Sequence, residues 1–481
     1  MGNRYIELDR RILGEAYGSG EALEIVTTLC DDYESRWPGS GMDRAACEYM
    51  AEWLSGHGLE NVHLEGFRLP GWIRGSSSLR LLEPNAKAVD CIALPMSCEG
   101  SVEADLVYLG TGPVDSYEDR QDEIEGKIVM VNSGNPPGMS RTLHRSEKYQ
   151  RSVLAGAAGW IFMNHYPAYG PPTGGVSPIV PAVGVSYEDG MYLARLLERK
   201  GRVRLRLETA CRNLDVETWN VVADLKGTGG TDDWVVYGAH YEGHDISVGA
   251  LDDATGAACV MEIARIMAGM RSHLKRNMRF ILFGAEEIGL LGSRAYVKAH
   301  PGEMNRIRFM MNFDAAGRDG RQGFCLHGWP ALEPMFKGVA SDLGLDLPVW
   351  SQVTPYSDHW PFLLKGVPTA TMGDPEEARR RGGRGFGHTK YDTVDKCNPR
   401  VMRECVGNAA VAALRLVNED RWPVKHRGQA EIDRLVQAQG FEETVRLGKR
   451  LKAYLEAKRD SLRPETLAYL ERLSGSWDEV N

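Results

Sequence analysis

Long apolar runs alternate with amphipathic segments in the part of the chain that follows Thr218. One run ends at His240, a second ends at Glu286-Glu287 and a third ends at Asp314. Buried runs that alternate with helical spacing predict an α/β fold with a mostly parallel, mixed sheet flanked by helices. Because ligands of such sheets gather beyond the carboxyl ends of the strands, we expect the residues that end these runs to lie together.

The rest of the chain shows three other patterns. Residues 1–100 predict a helix followed by a strand, and we expect them to form the N-terminal part of the main domain, which resumes at 211–420. Short apolar strands, two helices and a Pro/Gly-rich loop make residues 101–210 a predicted, mainly-β insertion. Residues 421–481 have helical spacing and form a predicted C-terminal extension, which either caps its own protein or pairs with another subunit. The inserted domain is a second candidate for such pairing.

The composition of the chain narrows the possible partners and the expected cellular location. The chain has 481 residues, 43% of them hydrophobic, and a net charge of −9, which disfavours nucleic acid as a partner. No apolar run approaches the ~20 residues that span a membrane. The nine cysteines are scattered, and the first residues carry charges where a signal peptide needs an apolar core. We therefore expect reduced thiols and a cytoplasmic location.

Metal-type residues stand at the ends of the apolar runs and in glycine-rich turns. Two imidazoles and three carboxylates suit a pair of divalent ions, with zinc expected first and cobalt or manganese as alternatives. The extra carboxylate of Glu286 is then free to move a proton. Each residue has a common structural explanation when taken alone, such as a helix cap, but their combination favours a metal site. The five predicted ligands are His240, Asp252, Glu287, Asp314 and His388.

The segments around these residues resemble a family of di-zinc exopeptidases that includes bacterial leucyl aminopeptidases, glutamate carboxypeptidase and carboxypeptidase Q. The resemblance covers residues 218–415 and is closest to carboxypeptidase Q, and residues 101–210 resemble the protease-associated domain of several members. The motifs that carry it are Gly238-Ala-His-Tyr-Glu, Gly249-Ala-Leu-Asp-Asp-Ala-Thr-Gly, Phe283-Gly-Ala-Glu-Glu-Ile-Gly-Leu-Leu-Gly-Ser, Asn312-Phe-Asp, Ser357-Asp-His-Trp-Pro-Phe and Gly387-His-Thr-Lys-Tyr-Asp-Thr.

The resemblance implies a role for each metal-type residue. One zinc ion takes His240 and Asp314, the other takes Glu287 and His388, and Asp252 bridges them. Glu286 is implied to be the general base.

Weaker assignments concern five other residues. The family has Asp where this chain has Glu242, so either Glu242 or Asp245 is expected to orient His240. Tyr356 is a candidate for polarising the oxyanion of the tetrahedral intermediate. In a glycine- and arginine-rich stretch, Arg381 and Arg384 either bind a substrate carboxylate or belong to a solvated loop.

These expectations predict a metal-dependent aminopeptidase, dipeptidase or carboxypeptidase that acts on a peptide or a small amide. Hydrolysis of a non-peptide amide, such as an N-acyl amino acid, is the alternative, because the same metal site would serve it. A non-catalytic binding protein is disfavoured because all five ligands and Glu286 are present. The sequence leaves open the preferred side chain, the cleaved end, the native metal and the number of subunits.

Overall fold

The computed structural model of the chain describes residues 3–314, 316–376 and 386–473. The chain divides into two compact units, which we call unit 1 (residues 1–69 and 216–436) and unit 2 (residues 70–215 and 437–481). Residue 100, where the main domain was expected to pause, lies inside unit 2, and so do the helices that follow residue 436. Strands and helices are numbered below along the whole chain.

Unit 1 is built on an eight-stranded sheet with the order β1-β10-β12-β11-β13-β16-β14-β15. The four strands from β12 to β16 in this order pair in parallel, whereas β10 and β14 join them antiparallel. The predicted mixed, mostly parallel α/β sheet is therefore confirmed. The strands are β1 (Glu60–Ile73), β10 (Arg212–Leu225), β11 (Trp234–His240), β12 (Asn277–Phe283), β13 (Ile307–Asn312), β14 (Gly323–Leu326), β15 (Val349–Ser351) and β16 (Thr369–Gly373).

Helices cover both faces of this sheet. In β11, Val235 and Tyr237 face one apolar cluster while Trp234 and Val236 face another, so the strand is buried on both sides. That burial explains why β11 and β12 are continuous apolar runs without alternation. The helices are α1 (Ile6–Gly18), α2 (Glu21–Tyr33), α3 (Met42–Gly56), α8 (Thr255–Ala268), α9 (Leu291–Ala299), α10 (Glu333–Leu343), α11 (His359–Leu364), α12 (Pro399–Asn418) and α13 (Gln429–Ala438).

Unit 2 contains a second eight-stranded sheet with the order β3-β2-β9-β5-β6-β7-β8-β4. Strands β5 to β8 pair in parallel, and β9 joins β5 antiparallel. These strands are β2 (Ser77–Glu83), β3 (Lys87–Val89), β4 (Ile92–Ala93), β5 (Gly100–Tyr108), β6 (Ile128–Asn132), β7 (Gly159–Met163), β8 (Ala182–Val185) and β9 (Arg204–Thr209).

The last two described helices belong to the core of unit 2. Their residues Leu451, Leu455 and Leu470 pack in one buried cluster with Trp160 and Tyr149. The apolar face of the tail is thus covered within its own unit, as expected of a capping pair. The helices of unit 2 are α4 (Ser116–Asp119), α5 (Gln121–Ile124), α6 (Arg145–Leu154), α7 (Tyr187–Lys200), α14 (Glu442–Ala457) and α15 (Pro464–Arg472).

None of the helices in the described part of the chain has the length and apolar character needed to cross a membrane.

Candidate metal centre

The register of the central strands brings four of the predicted residues to one edge of the sheet. His240 ends β11 and lies opposite Phe283, the last residue of β12, while Gly238 lies opposite Asn312 at the end of β13. The segments that leave β12 and β13 therefore start beside His240, and they carry Glu286, Glu287 and Asp314. This arrangement follows from parallel pairing, which aligns the carboxyl ends of neighbouring strands.

His240, Asp252 and Asp314 form a first group, whose ligand-type atoms all lie within 4.8 Å of one another. His240 Nε2 lies 3.6 Å from Asp252 Oδ1. Arg318 also reaches this group, because its Nη2 lies 2.6 Å from Asp252 Oδ1 and 2.9 Å from Asp314 Oδ1. A buried guanidinium thus balances part of the negative charge of the two carboxylates.

Glu287 and His388 form a second group, and the structure adds His244 to it, again with ligand-type atoms within 4.8 Å of one another. His388 Nε2 lies 2.9 Å from Glu287 Oε2 and 3.3 Å from Asp252 Oδ2. His244 Nε2 lies 3.0 Å from the same Glu287 oxygen. Asp252 consequently turns one oxygen toward each group, the arrangement needed for a bridging carboxylate.

The backbone around Asp252 is held by two buried side chains. Asp392 accepts hydrogen bonds from Leu251 N at 2.6 Å and from Asp252 N at 3.1 Å. Arg36 donates to Tyr241 O at 2.5 Å and to Gly249 O at 3.1 Å, which pins both ends of the loop between His240 and Asp252. The neighbouring carboxylate of Asp253 accepts from Gly256 N, in the first turn of α8, at 3.2 Å.

In both groups, the ligand-type atoms are better placed to bind metal ions than to form hydrogen bonds with one another. His240 Nε2, His388 Nε2 and Glu287 Oε1 are buried and make no hydrogen bond within the described residues, although carboxylates or imidazoles lie close by. Buried polar atoms left in this way are rare in proteins, and cation binding explains them. Burial lowers the pKa of His240, but the carboxylates of Asp252 and Glu242 outweigh it and raise that pKa well above its usual value. The cluster therefore favours positive charge.

Glu286 lies beside the two groups with a half-buried side chain. Burial raises its pKa well above the usual value; His240 opposes this shift, while the negative charges of Glu287, Asp314 and Asp358 add to it. Its carboxylate is thus a stronger base than an exposed one, which suits the transfer of a proton.

The remaining predicted residues have different surroundings. The backbone carbonyl of Glu242 accepts from His240 Nδ1 at 3.0 Å, while its carboxylate lies 3.6 Å from that nitrogen and accepts from Glu287 N at 3.1 Å. Tyr356 is half-buried in the loop before α11. Arg381 and Arg384 lie outside the described residues.

Sequence reasoning did not assign the residues that surround the predicted ligands. His244, Arg318 and Asp392 are not among the predicted residues, although Asp392 lies inside the motif of His388 and His244 follows the motif of His240 by two residues. Asp358 was also missed; burial raises its pKa to about 7, and it lies close enough to affect Glu286. A second carboxylate or imidazole within a ligand motif was the only available signal.

The fold and the two groups of ligand-type side chains define a metal-dependent hydrolase, and comparison with known proteins identifies the class. Peptidase family M28 matches residues 220–413, and the PA domain matches residues 102–193. Probable leucine aminopeptidase 2 of Trichophyton verrucosum is 30% identical over 368 residues, which cover 70% of each chain. Carboxypeptidase Q of Mus musculus is 25% identical over 443 residues, which cover 86% of this chain and 90% of the relative. The chain belongs to peptidase family M28.

Solved structures agree on the fold. A peptidase M28 precursor from Shewanella amazonensis has a TM-score of 0.74 at 24% identity, covering 88% of this chain and 98% of its own. A zinc aminopeptidase from Bacillus subtilis has a TM-score of 0.65 at 22% identity, covering 84% and 96%. Family membership confirms the prediction of a metal-dependent exopeptidase with an inserted PA domain.

Proposed function

We propose that the protein hydrolyses the terminal peptide bond of short peptides with two divalent ions, in the first instance zinc. One observation carries this proposal: Asp252 directs its two oxygens to two separate groups of ligand-type atoms. Oδ1 lies 3.6 Å from His240 Nε2, and Oδ2 lies 3.3 Å from His388 Nε2. A single metal site would not require a carboxylate shared in this way.

We expect the side chains to divide between the two ions as the resemblance implies. His240 and Asp314 would hold one ion, Glu287 and His388 the other, and Asp252 both. When bound, the ions supply Lewis acidity, which lowers the pKa of water and polarises the substrate carbonyl.

Glu286 is the proposed general base. Its carboxylate takes a proton from the attacking water and then passes that proton to the nitrogen of the leaving amine. The neighbouring carboxylates support this role, because repulsion among them makes Glu286 readier to accept a proton.

Two further residues are proposed to support the reaction, one by orienting a metal ligand and the other by stabilising the oxyanion. The carbonyl of Glu242 fixes His240 with its Nδ1 protonated, which leaves Nε2 as the metal-binding atom. Tyr356 is proposed to donate a hydrogen bond to the oxyanion that forms during attack, since it precedes Ser357, whose hydroxyl accepts from Asn312 at the end of β13. Removal of the Tyr356 hydroxyl should then lower kcat and leave KM nearly unchanged.

The names of the relatives include both a carboxypeptidase and an aminopeptidase. A panel of free dipeptides, amino-acid anilides and N-acyl amino acids, assayed with zinc, cobalt or manganese, tests which end is cleaved. Cleavage of dipeptides alone favours an activity like that of carboxypeptidase Q, and turnover of anilides favours an aminopeptidase. Turnover of N-acyl amino acids alone would replace the peptidase proposal with the amidohydrolase alternative.

Metal content provides an independent test. We expect the purified protein, after removal of metals with a chelator, to regain activity as two equivalents of zinc or cobalt are added. Full activity with one equivalent, or no binding after reconstitution, would contradict the two-ion proposal.

The cellular location is a further proposal. All nine cysteines are free, and seven of them are buried. This supports a reducing compartment such as the cytoplasm. Fractionation of the source cells would test it, and recovery of the protein outside the cytoplasm would contradict it.

A further inference from the structure

His244 is a metal-type side chain that the assigned set of five ligands does not use. It follows His240 by four residues, its side chain is only 2% exposed, and its Nε2 lies 3.0 Å from Glu287 Oε2. His388 Nε2 lies 2.9 Å from that same oxygen. Three side chains therefore place ligand-type atoms within 4.8 Å of one another at the second group.

The loop between β11 and α8 is built so that His244 turns back to this group. A Cβ atom on Gly243 would lie 2.6 Å from Gly249 Cα, so only glycine permits this close approach. Gly243 N also donates to Ser35 O at 2.8 Å. The imidazole of His244 then stacks on Trp37 with ring centres 5.7 Å apart and meets His388 edge-on at 4.4 Å. These contacts fix its ring in one position.

Among the described residues, no fourth ligand-type side chain joins the first group, which contains a positive charge instead. Arg318 Nη2 lies within 2.9 Å of both Asp252 Oδ1 and Asp314 Oδ1. A cation that binds there must share these two oxygens with the guanidinium. The second group therefore has an added imidazole for a cation, whereas the first group contains a positive charge that competes with a cation.

We propose that His244 is a further protein ligand of the ion held by Glu287 and His388, and that this ion binds first and more tightly than the other. The inference rests on the proposed two-ion function and deepens it. With the shared Asp252, this ion has four protein side chains, the number found in closed zinc sites. The ion of the first group has three, so it is the one with a position left for water or the substrate.

The experiment measures metal affinity rather than turnover. Metal-free protein is titrated with zinc in competition with a chromophoric chelator, and cobalt(II) absorption reports the coordination of each equivalent. The variants are His244→Ala, His244→Asn and His244→Asp, with His273→Ala as the control, because His273 is exposed on the surface of unit 1. Asparagine keeps a donor for Glu287 but is a poor zinc ligand, whereas aspartate supplies a ligand oxygen. Circular dichroism confirms the fold of each variant.

We expect the wild type to bind two equivalents, the first more tightly. His244→Ala and His244→Asn should lower the affinity for the first equivalent by at least about 100-fold. Loss of a residue that only hydrogen-bonds to a metal ligand already lowers metal affinity by about 10- to 100-fold. His244→Asp should retain most of the affinity, and His273→Ala all of it. The cobalt spectrum of the first equivalent should change in His244→Asn.

Wild-type affinity in His244→Asn, with the same cobalt spectrum, would overturn the inference and leave the two-ion function intact. So would a loss confined to the more weakly bound equivalent. A wild type that binds no ion would instead remove the proposed function itself. If His244→Ala fails to fold, the comparison of His244→Asn with His244→Asp decides the matter, because both keep a small polar side chain.

Discussion

The two units bury charged side chains in different ways. In unit 2, Glu147 is only 1% exposed and is held by Arg141 at 2.7 Å and Arg151 at 2.8 Å. The adjacent Lys148 donates to Asn132 O at 2.9 Å and to Gly134 O at 2.6 Å. Burial would raise the pKa of Glu147, but its two arginines outweigh that effect and hold the pKa below its usual value. The buried acid of unit 2 is therefore fully compensated.

At the candidate metal centre of unit 1, by contrast, several buried acids face other acids and imidazoles. His240 Nε2, His388 Nε2 and Glu287 Oε1 make no hydrogen bond among the described residues, and the pKa of Glu286 is raised because burial and neighbouring carboxylates both oppose its charge. A compensated charge stabilises the fold, whereas an uncompensated cluster must be completed from outside. This difference predicts that substitutions at the candidate metal centre change binding and catalysis, while a substitution at Glu147 changes stability.

The largest effect is expected at Glu286. Replacement of Glu286 by Gln removes the general base and should lower kcat by about 10²- to 10⁴-fold. Metal stoichiometry should stay at the wild-type value, because Glu286 is not a proposed ligand. Steady-state kinetics and metal analysis check both points. Glu333→Gln, on the exposed surface of unit 1, is the matched control. Near-normal turnover in Glu286→Gln would remove Glu286 from the mechanism.

A comparable change in unit 2 should act on stability alone. In Glu147→Ala, Arg141 and Arg151 lose their shared buried partner, and breaking such a pair costs about 3–5 kcal/mol. Urea unfolding measures the loss for the transition that involves unit 2. Metal affinity and KM for a small substrate should not change. Loss of metal binding in this variant would contradict the separation of the two units by function.

Asp392 provides a smaller and more specific test in unit 1. Its carboxylate positions Asp252 through two backbone N–H groups, so Asp392→Asn should weaken metal binding by about 10- to 100-fold. Chelator competition measures this change. Asp395→Asn is a suitable control because Asp395 is exposed and three residues away. Equal affinities in the two variants would show that the position of Asp252 does not depend on Asp392.

The smallest predicted effect concerns acid sensitivity. Burial lowers the pKa of His359 to about 4, and its ring stacks on His327 at 3.9 Å. Its pKa in the unfolded state is higher, so the unfolded state binds more protons as the pH falls from about 6.5 to 4. The contribution of His359 to the free energy of unfolding is therefore fully present above pH 6.5. It decreases below that pH, by about 2 kcal/mol between pH 7 and pH 5. Urea unfolding at the two pH values should show a smaller decrease in His359→Asn, and an equal decrease would exclude His359 as the cause.

The strands and the clustering of the five predicted ligands were predictable because both depend on local patterns. Runs such as Trp234–His240 are apolar throughout since helices cover both sheet faces, and parallel pairing delivers their last residues to one edge. The helix expected before a strand in residues 1–100 appears as α3 (Met42–Gly56). The role expected of the Glu242 side chain was less predictable, because the backbone carbonyl at the same position makes the shorter contact with His240.

The sequence alone determined the α/β class, the likeness to a peptidase family and the residue types of the proposed two-ion site, because each depends on short motifs and periodicity. Tertiary structure alone decided that His244 joins Glu287 and His388, that Arg318 reaches Asp252 and Asp314, and that Asp392 holds the Asp252 backbone. Those contacts connect loops whose separation along the chain says nothing about their distance in space. Only the folded backbone, with Gly243 against Gly249, brings them together.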